Sequence, residues 1–182
     1  MKLTTTDISL RELMIPLFVF TALHILIERC SIRSTVIKTM LAAEPTSRTS
    51  PIAFFYCARS TAEPERAQPI KIMGSLLRQL ASSKPDLPVE EPVAKEYEAR
   101  KKKAEGGSST LKQLTVEDCT RLILELTKDH PATIIIDALD ECDDETRNEL
   151  LEALDDIISK SAKIVKVLVS SRDDVDIVSI LH

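Results

Sequence analysis

Apolar residues are arranged along this chain in two ways. Residues 52–57, 133–136 and 165–170 are short, nearly continuous apolar runs rich in strand-forming residues. Runs of that kind read as strands buried on both faces. Elsewhere apolar residues recur every three or four positions, the spacing of one helix face. Residues 70–82 place Ile72, Met73, Leu76, Leu77 and Leu80 in this way, and residues 145–159 place Leu150, Leu151, Leu154, Ile157 and Ile158. Residues 115–129 form a third such helix through Leu122, Ile123 and Leu126, with Thr115 as its cap and Asp118 at the third helical position. A weaker helical face runs over residues 30–42 through Ile32, Val36, Ile37 and Met40.

The remaining segments are polar or broken. Residues 44–51 form a turn-rich loop, and residues 62–69 are polar and bounded by proline. Residues 84–92 hold Pro85, Pro88 and Pro92 and read as a connector. Residues 93–105 are highly charged and predict a solvated helix ending at Gly106-Gly107, with the basic run 100–103 on its wet face. Near the start, Ser9 and Glu12 form a capping box for a helix that Pro16 kinks or breaks. The apolar run 14–27 is interrupted by Pro16, Thr21 and His24. It is shorter than the roughly 20 residues that span a bilayer. Glu12 spoils the basic start, from Lys2 and Arg11, that a signal peptide needs. This run therefore reads as a buried or interfacial segment, not as a membrane anchor.

From residue 52 onward the order is strand, helices, strand, helix, strand. Buried strands alternating with helices predict an α/β fold with a parallel sheet between two helical layers. The expected organisation is an atypical, apolar helical extension over residues 1–29 and one α/β domain over residues 30–182. There is no internal repeat.

Composition narrows this picture. Aromatic residues are 3% of the chain and Trp is absent, so the core is aliphatic. A net charge of −5 argues against nucleic acid as a partner. Cys30, Cys57, Cys119 and Cys142 form no CxxC pair, which predicts free thiols in a reducing, cytoplasmic setting. The only glycines are Gly74, Gly106 and Gly107.

Candidate chemistry is concentrated in Thr133-Ile-Ile-Ile-Asp-Ala-Leu-Asp-Glu141. The apolar strand delivers Asp137 to the carboxyl edge of the sheet, where α/β folds bind ligands. A carboxylate there can hold Mg²⁺, directly or through water. Asp140 and Glu141 add two acids just beyond, and one of them can orient or deprotonate an attacking water. Helix capping is the simpler explanation for acids in this place, and Asp143 or Asp144 is expected to cap the next helix. Capping accounts for one acid but not for the five between Asp137 and Asp144. The second candidate is Val167-Leu-Val-Ser-Ser-Arg172, a strand ending in hydroxyls and a cation suited to a γ-phosphate, with Ser171 and Arg172 as the contacts.

These residues resemble a known group. Residues 134–142 resemble the Walker B segment of NACHT NTPases, and residues 167–172 resemble their sensor 1 strand. Pro51-Ile-Ala-Phe-Phe-Tyr-Cys-Ala-Arg59 followed by IMGSLLRQL at 72–80 is similar to fungal members, the nephrocystin 3-like N-terminal domains of large proteins that often end in ankyrin repeats. The resemblance implies a partial P-loop NTPase core of the STAND switch class, with ATP and Mg²⁺ as cofactors. It implies Asp137 for the metal, Asp140 and Glu141 for hydrolysis, and Arg172 for the γ-phosphate. It also implies self-association or protein partners through the NACHT surface.

The phosphate loop departs from that pattern. A P-loop reads G-x-x-x-x-G-K-[ST], so that bare backbone N–H groups approach the phosphates and a lysine reaches them. Counting back from residues 34–37 puts Arg29 at the lysine, Cys30 at the Ser/Thr, and Leu23 and Glu28 at the glycines. Arg29 supplies charge without lysine's compact reach. Glu28 repels phosphate, and Cys30 is a poor Mg²⁺ ligand. Nucleotide binding is therefore expected to be lost or weak. Both ends depart as well, and together they predict a truncated or mis-spliced product of a longer gene. The leading expectation is a NACHT-type module that does not handle nucleotide. The alternatives are a working ATPase and an interaction module without catalysis.

Overall fold

The structure is a computed structural model that describes residues 50–82, 88–106 and 112–172. The apolar run 14–27, the expected helix over 30–42 and the Arg29 and Cys30 positions lie outside the described residues.

Among the described residues, three strands and four helices follow one another. They are β1 (Ile52–Tyr56), α1 (Pro69–Ala81), α2 (Glu91–Glu105), α3 (Val116–Leu126), β2 (Ala132–Asp137), α4 (Arg147–Lys160) and β3 (Val165–Val169). Short 3₁₀ turns occupy Pro64–Ala67 and Leu139–Glu141. The strands form one parallel sheet in the order β1-β2-β3. β2 is central, and every position before Asp137 is buried. That explains why its sequence is a continuous apolar run with no alternation.

The register puts Ala53, Ile134 and Val167 in one row and Phe55, Ile136 and Val169 in the next. These rows share a core with Leu76, Leu122, Leu150 and Ile157 from the helices. α1 packs on β1, α4 packs on β3, and α3 bridges the two helices. Both crossovers step the same way across the sheet, so the right-handed rule puts their helices on one face. Phe54, Ile135 and Leu168 make the row on the opposite face. The second helical layer of the expected arrangement is not among the described elements.

Local sequence sets most of the helix starts. Pro69 opens α1, where its fixed φ suits the first turn and no N–H is missed. Thr115 and Asp118 close a reciprocal capping box on α3. α2 begins earlier than the expected residue 93 and takes Pro92 into its first turn, so the connector is shorter than the prolines alone predict. Arg100 is also not on a solvated face: its side chain is only 18% exposed and sits between Glu96 and Asp118. α4 starts at Arg147 behind Thr146, and no side chain caps it. The expected cap by Asp143 or Asp144 is absent because both acids are used elsewhere. Asp143 accepts the Glu145 N–H, and Asp144 pairs with Arg59 and Arg147.

The outer edge of β1 is covered by side chains. Gln79 of α1 accepts the Phe54 N–H at 3.1 Å and donates to the Phe54 carbonyl at 2.8 Å, as a neighbouring strand would. Arg66 donates to the Tyr56 carbonyl at 3.0 Å. Such cover blocks pairing with another chain. No described helix is long and apolar enough to cross a membrane.

Candidate functional site at the carboxyl end of the sheet

The site starts where β2 ends. Asp137 is the last residue of the strand and lies beside Tyr56 of β1. The chain then turns sharply at Ala138, which adopts a left-handed conformation with φ 56°. A residue with a Cβ pays for that geometry, and it persists only where its surroundings hold it. Here the surroundings are Ser170, just past β3. The Ala138 N–H donates to Ser170 Oγ at 3.0 Å, and the Leu139 N–H donates to the Ser170 carbonyl at 2.9 Å. The Ser170 hydroxyl in turn donates to the Asp137 carboxylate. One serine thus orients the acid and secures the turn behind it.

Beyond the turn, Leu139 is fully buried and anchors the 3₁₀ segment, which leaves Asp140 and Glu141 half-buried, with 13% and 31% of their side chains exposed. Arg172 meets both acids. Its Nε lies 3.2 Å from Asp140 Oδ2, its Nη2 lies 3.2 Å from Glu141 Oε1, and its backbone N–H donates to Asp140 Oδ1 at 3.2 Å. From the other side, the Arg59 N–H donates to Glu141 Oε2 at 3.3 Å. The Arg59 guanidinium donates to the Cys142 carbonyl and to Asp144 Oδ1, each at 2.9 Å. Both arginines are largely exposed, so each pair contributes about 0–1 kcal/mol. Their effect is to hold the acid loop in one arrangement.

The floor under these charges is neutral. Cys57 donates its N–H to the Asp137 carbonyl at 2.9 Å, and Cys142 Sγ lies 3.1 Å from the Ala67 carbonyl. Burial pushes the Cys57 thiol up to about 12, helped by Cys142 and by the Asp137 charge. Burial likewise raises the Cys142 thiol to about 11. Both are therefore protonated, unreactive thiols at neutral pH.

The family model for the nephrocystin 3 N-terminal region matches residues 31–172. The chain belongs to the nephrocystin 3 N-terminal family. The match contains every described residue and ends at Arg172, the cation that closes the acid loop. Comparison with curated proteins returns no match.

Within this nephrocystin 3 N-terminal domain, five of the six residues predicted for the site lie in the described region. Asp137, Asp140, Glu141, Ser171 and Arg172 all stand at the carboxyl end of β2 and β3; Arg29 lies outside the described residues. Ser171 is 8% exposed, and its hydroxyl has no hydrogen-bond partner among the described residues. The serine that touches Asp137 is its neighbour Ser170. The register carries this signal, because Ile136 pairs with Val169 and the next residues are Asp137 and Ser170. Arg59 is the second contributor that the sequence reading passed over. It comes from a loop after β1, and nothing local ties it to residues 140–144.

No group of three His, Cys, Asp or Glu side chains converges as a metal cage among the described residues. Mg²⁺ needs no such cage when it arrives with phosphates, since one or two carboxylates and water complete its shell. Asp137 fits that limited part. In this arrangement Arg172 engages both Asp140 and Glu141, and the Arg59 N–H also reaches Glu141.

Proposed function

We propose that this domain is a NACHT-type module of the STAND class of P-loop NTPases, of the kind found in fungal proteins. It keeps the acid face of a nucleotide site and lacks the phosphate loop. The observation that carries this reading is Asp137 at the carboxyl end of the central strand, oriented by the Ser170 hydroxyl from the next strand. That is where a parallel sheet presents groups to a ligand. The family match, with Asp140, Glu141 and Arg172 around Asp137, supports the same origin.

Loss or weakness of ATP binding follows from the glycine positions. Residues 1–73 hold no glycine, so none of them brings bare backbone to a triphosphate. An acid loop whose Asp140 and Glu141 are both held by Arg172, with Asp144 held by Arg59, agrees with a module that acts through protein contacts. Self-association through the NACHT surface is the form of contact proposed here, with no catalytic step.

Isothermal calorimetry with MgATP tests the reading. We expect no binding heat up to millimolar nucleotide. Micromolar binding that disappears in Asp137→Ala would mean a working ATPase switch and would overturn the proposal. Sedimentation at several protein concentrations then separates the remaining alternatives. Association that is indifferent to ATP fits an interaction module.

A further inference from the structure

α2 differs from the other helices in how it is held. α1 buries Ile72, Met73, Leu76, Leu77 and Leu80, and α4 buries Leu150, Leu151, Leu154 and Ile157. α2 has no buried residue at all. Val93 is its only side chain packed against the core, and that one is partly exposed; Tyr97 is 54% exposed. A free helix of this length is marginal in water, so α2 needs an anchor.

The start of α2 is tied to α1 by the Glu90 N–H, which donates to the Ala81 carbonyl at 3.0 Å; along its length the anchor is charge. Arg100 Nη2 of α2 lies 2.9 Å from Asp118 Oδ2 of α3, and Arg121 Nη2 of α3 lies 2.7 Å from Glu96 Oε2 of α2. Glu96 and Arg100 also pair within α2 at 2.7 Å. The bonds from Arg100 and Arg121 hold the Glu96 carboxyl below the usual carboxylate range. Arg100 Nη1 reaches further and donates to the carbonyls of Lys112 and Gln113 at 3.2 and 3.1 Å. Gln113 and Leu114 line an open groove of about 400 Å³, opposite Ile70 and Gly74 of α1. A Cβ added at Gly74 would meet nothing within 4 Å, so the groove is unobstructed at that point.

We propose that α2 is a detachable strap, clamped to α3 by the Glu96–Arg100–Asp118–Arg121 cluster in place of buried apolar surface. It lifts off while the sheet and α1, α3 and α4 stay folded. When it lifts, Arg100 releases the 112–113 backbone, and one wall of the groove on α1 comes free with it. The strap therefore governs the shape of that groove. Salt acts through the open side of the cluster, where 46% of the Arg121 side chain is exposed: the Debye length there falls from about 10 Å at 0.1 M salt to about 3 Å at 1 M, and the more buried Arg100 pairs are screened less. An apolar anchor does not weaken in this way.

Hydrogen exchange on the full chain, read by mass spectrometry at about 0.1 M and about 1 M NaCl, tests the strap. We expect protection in α2 to fall about tenfold at high salt while β2 and α4 amides, the internal reference, hold theirs. Arg100→Gln should reproduce this loss at low salt. Lys103→Ala, on the same helix but outside the cluster, should leave it unchanged. If Arg100→Gln unfolds the whole domain, Arg121→Gln decides, since it leaves the α2 sequence intact. Selective loss in α2 then supports the strap. Protection in α2 that ignores salt, or that falls only together with β2 and α4, overturns it.

Discussion

Ser170 and Ser171 are adjacent and chemically identical, yet their surroundings separate them. Ser170 donates to Asp137 and accepts from the Ala138 N–H, whereas the buried Ser171 hydroxyl has no partner among the described residues. Losing Ser170 Oγ leaves a carboxylate and a backbone N–H short of a bond, which costs about 1–3 kcal/mol. We expect Ser170→Ala to lower urea stability by that amount and Ser171→Ala to lower it by clearly less. The opposite order would contradict the role given to Ser170. The buried thiols make a second prediction. Burial raises Cys57 to about 12, Cys142 to about 11 and Cys119 to about 11, from an ordinary value of 9.0. These pKa values are higher in the folded chain, so the stability they lend is complete below the unfolded pKa. It is lost as pH rises through the folded values. Urea midpoints should thus be insensitive to these thiols below about pH 9 and fall between about pH 9 and 12. A Cys57→Ser, Cys119→Ser, Cys142→Ser triple variant should lose that alkaline slope.

Among the elements, those with local instructions were legible in the sequence. The α3 start is written in Thr115 and Asp118, three positions apart in sequence and touching in space, and the structure has that box. The three strands follow from their apolar runs to within one residue at each end. Elements whose boundaries depend on distant partners were not legible. Asp144 is drawn to Arg59 and Arg147, so it does not cap α4. Arg100 sits in a basic run that reads as a wet helix face, and only the approach of α3 brings Asp118 to it. The β1 edge belongs to this second kind, because Gln79 serves as its missing neighbour through both N–H and carbonyl of Phe54. Gln79→Ala removes two hydrogen bonds and should cost about 1–3 kcal/mol. It should also open the edge, so we expect greater concentration-dependent association by light scattering. No change in either measurement would show that the edge is protected by something else.

For the molecule as a whole, the central strand carries the most weight. Ile134 and Ile136 are fully buried between both neighbouring strands and the helical layer. Ile136→Ala empties part of that core and should cost about 2–5 kcal/mol in urea denaturation. Ile52→Ala, at a half-buried position on β1, should cost less; equal losses would mean that the two faces of the sheet are equally packed. The sequence by itself determined the α/β class, the parallel strands, the aliphatic core and the placement of Asp137 at a strand's carboxyl end. Each of these rests on periodicity or on residue type within a few positions, and such signals survive without knowledge of neighbours. Tertiary structure alone decided which serine holds Asp137, that Arg59 and Arg172 close on Asp140 and Glu141 from two sides, and that α2 is fastened by charge. The contacts at the site join residues more than 30 positions apart and exist only once the crossovers have brought the strand ends together; those of α2 need α3 packed beside it.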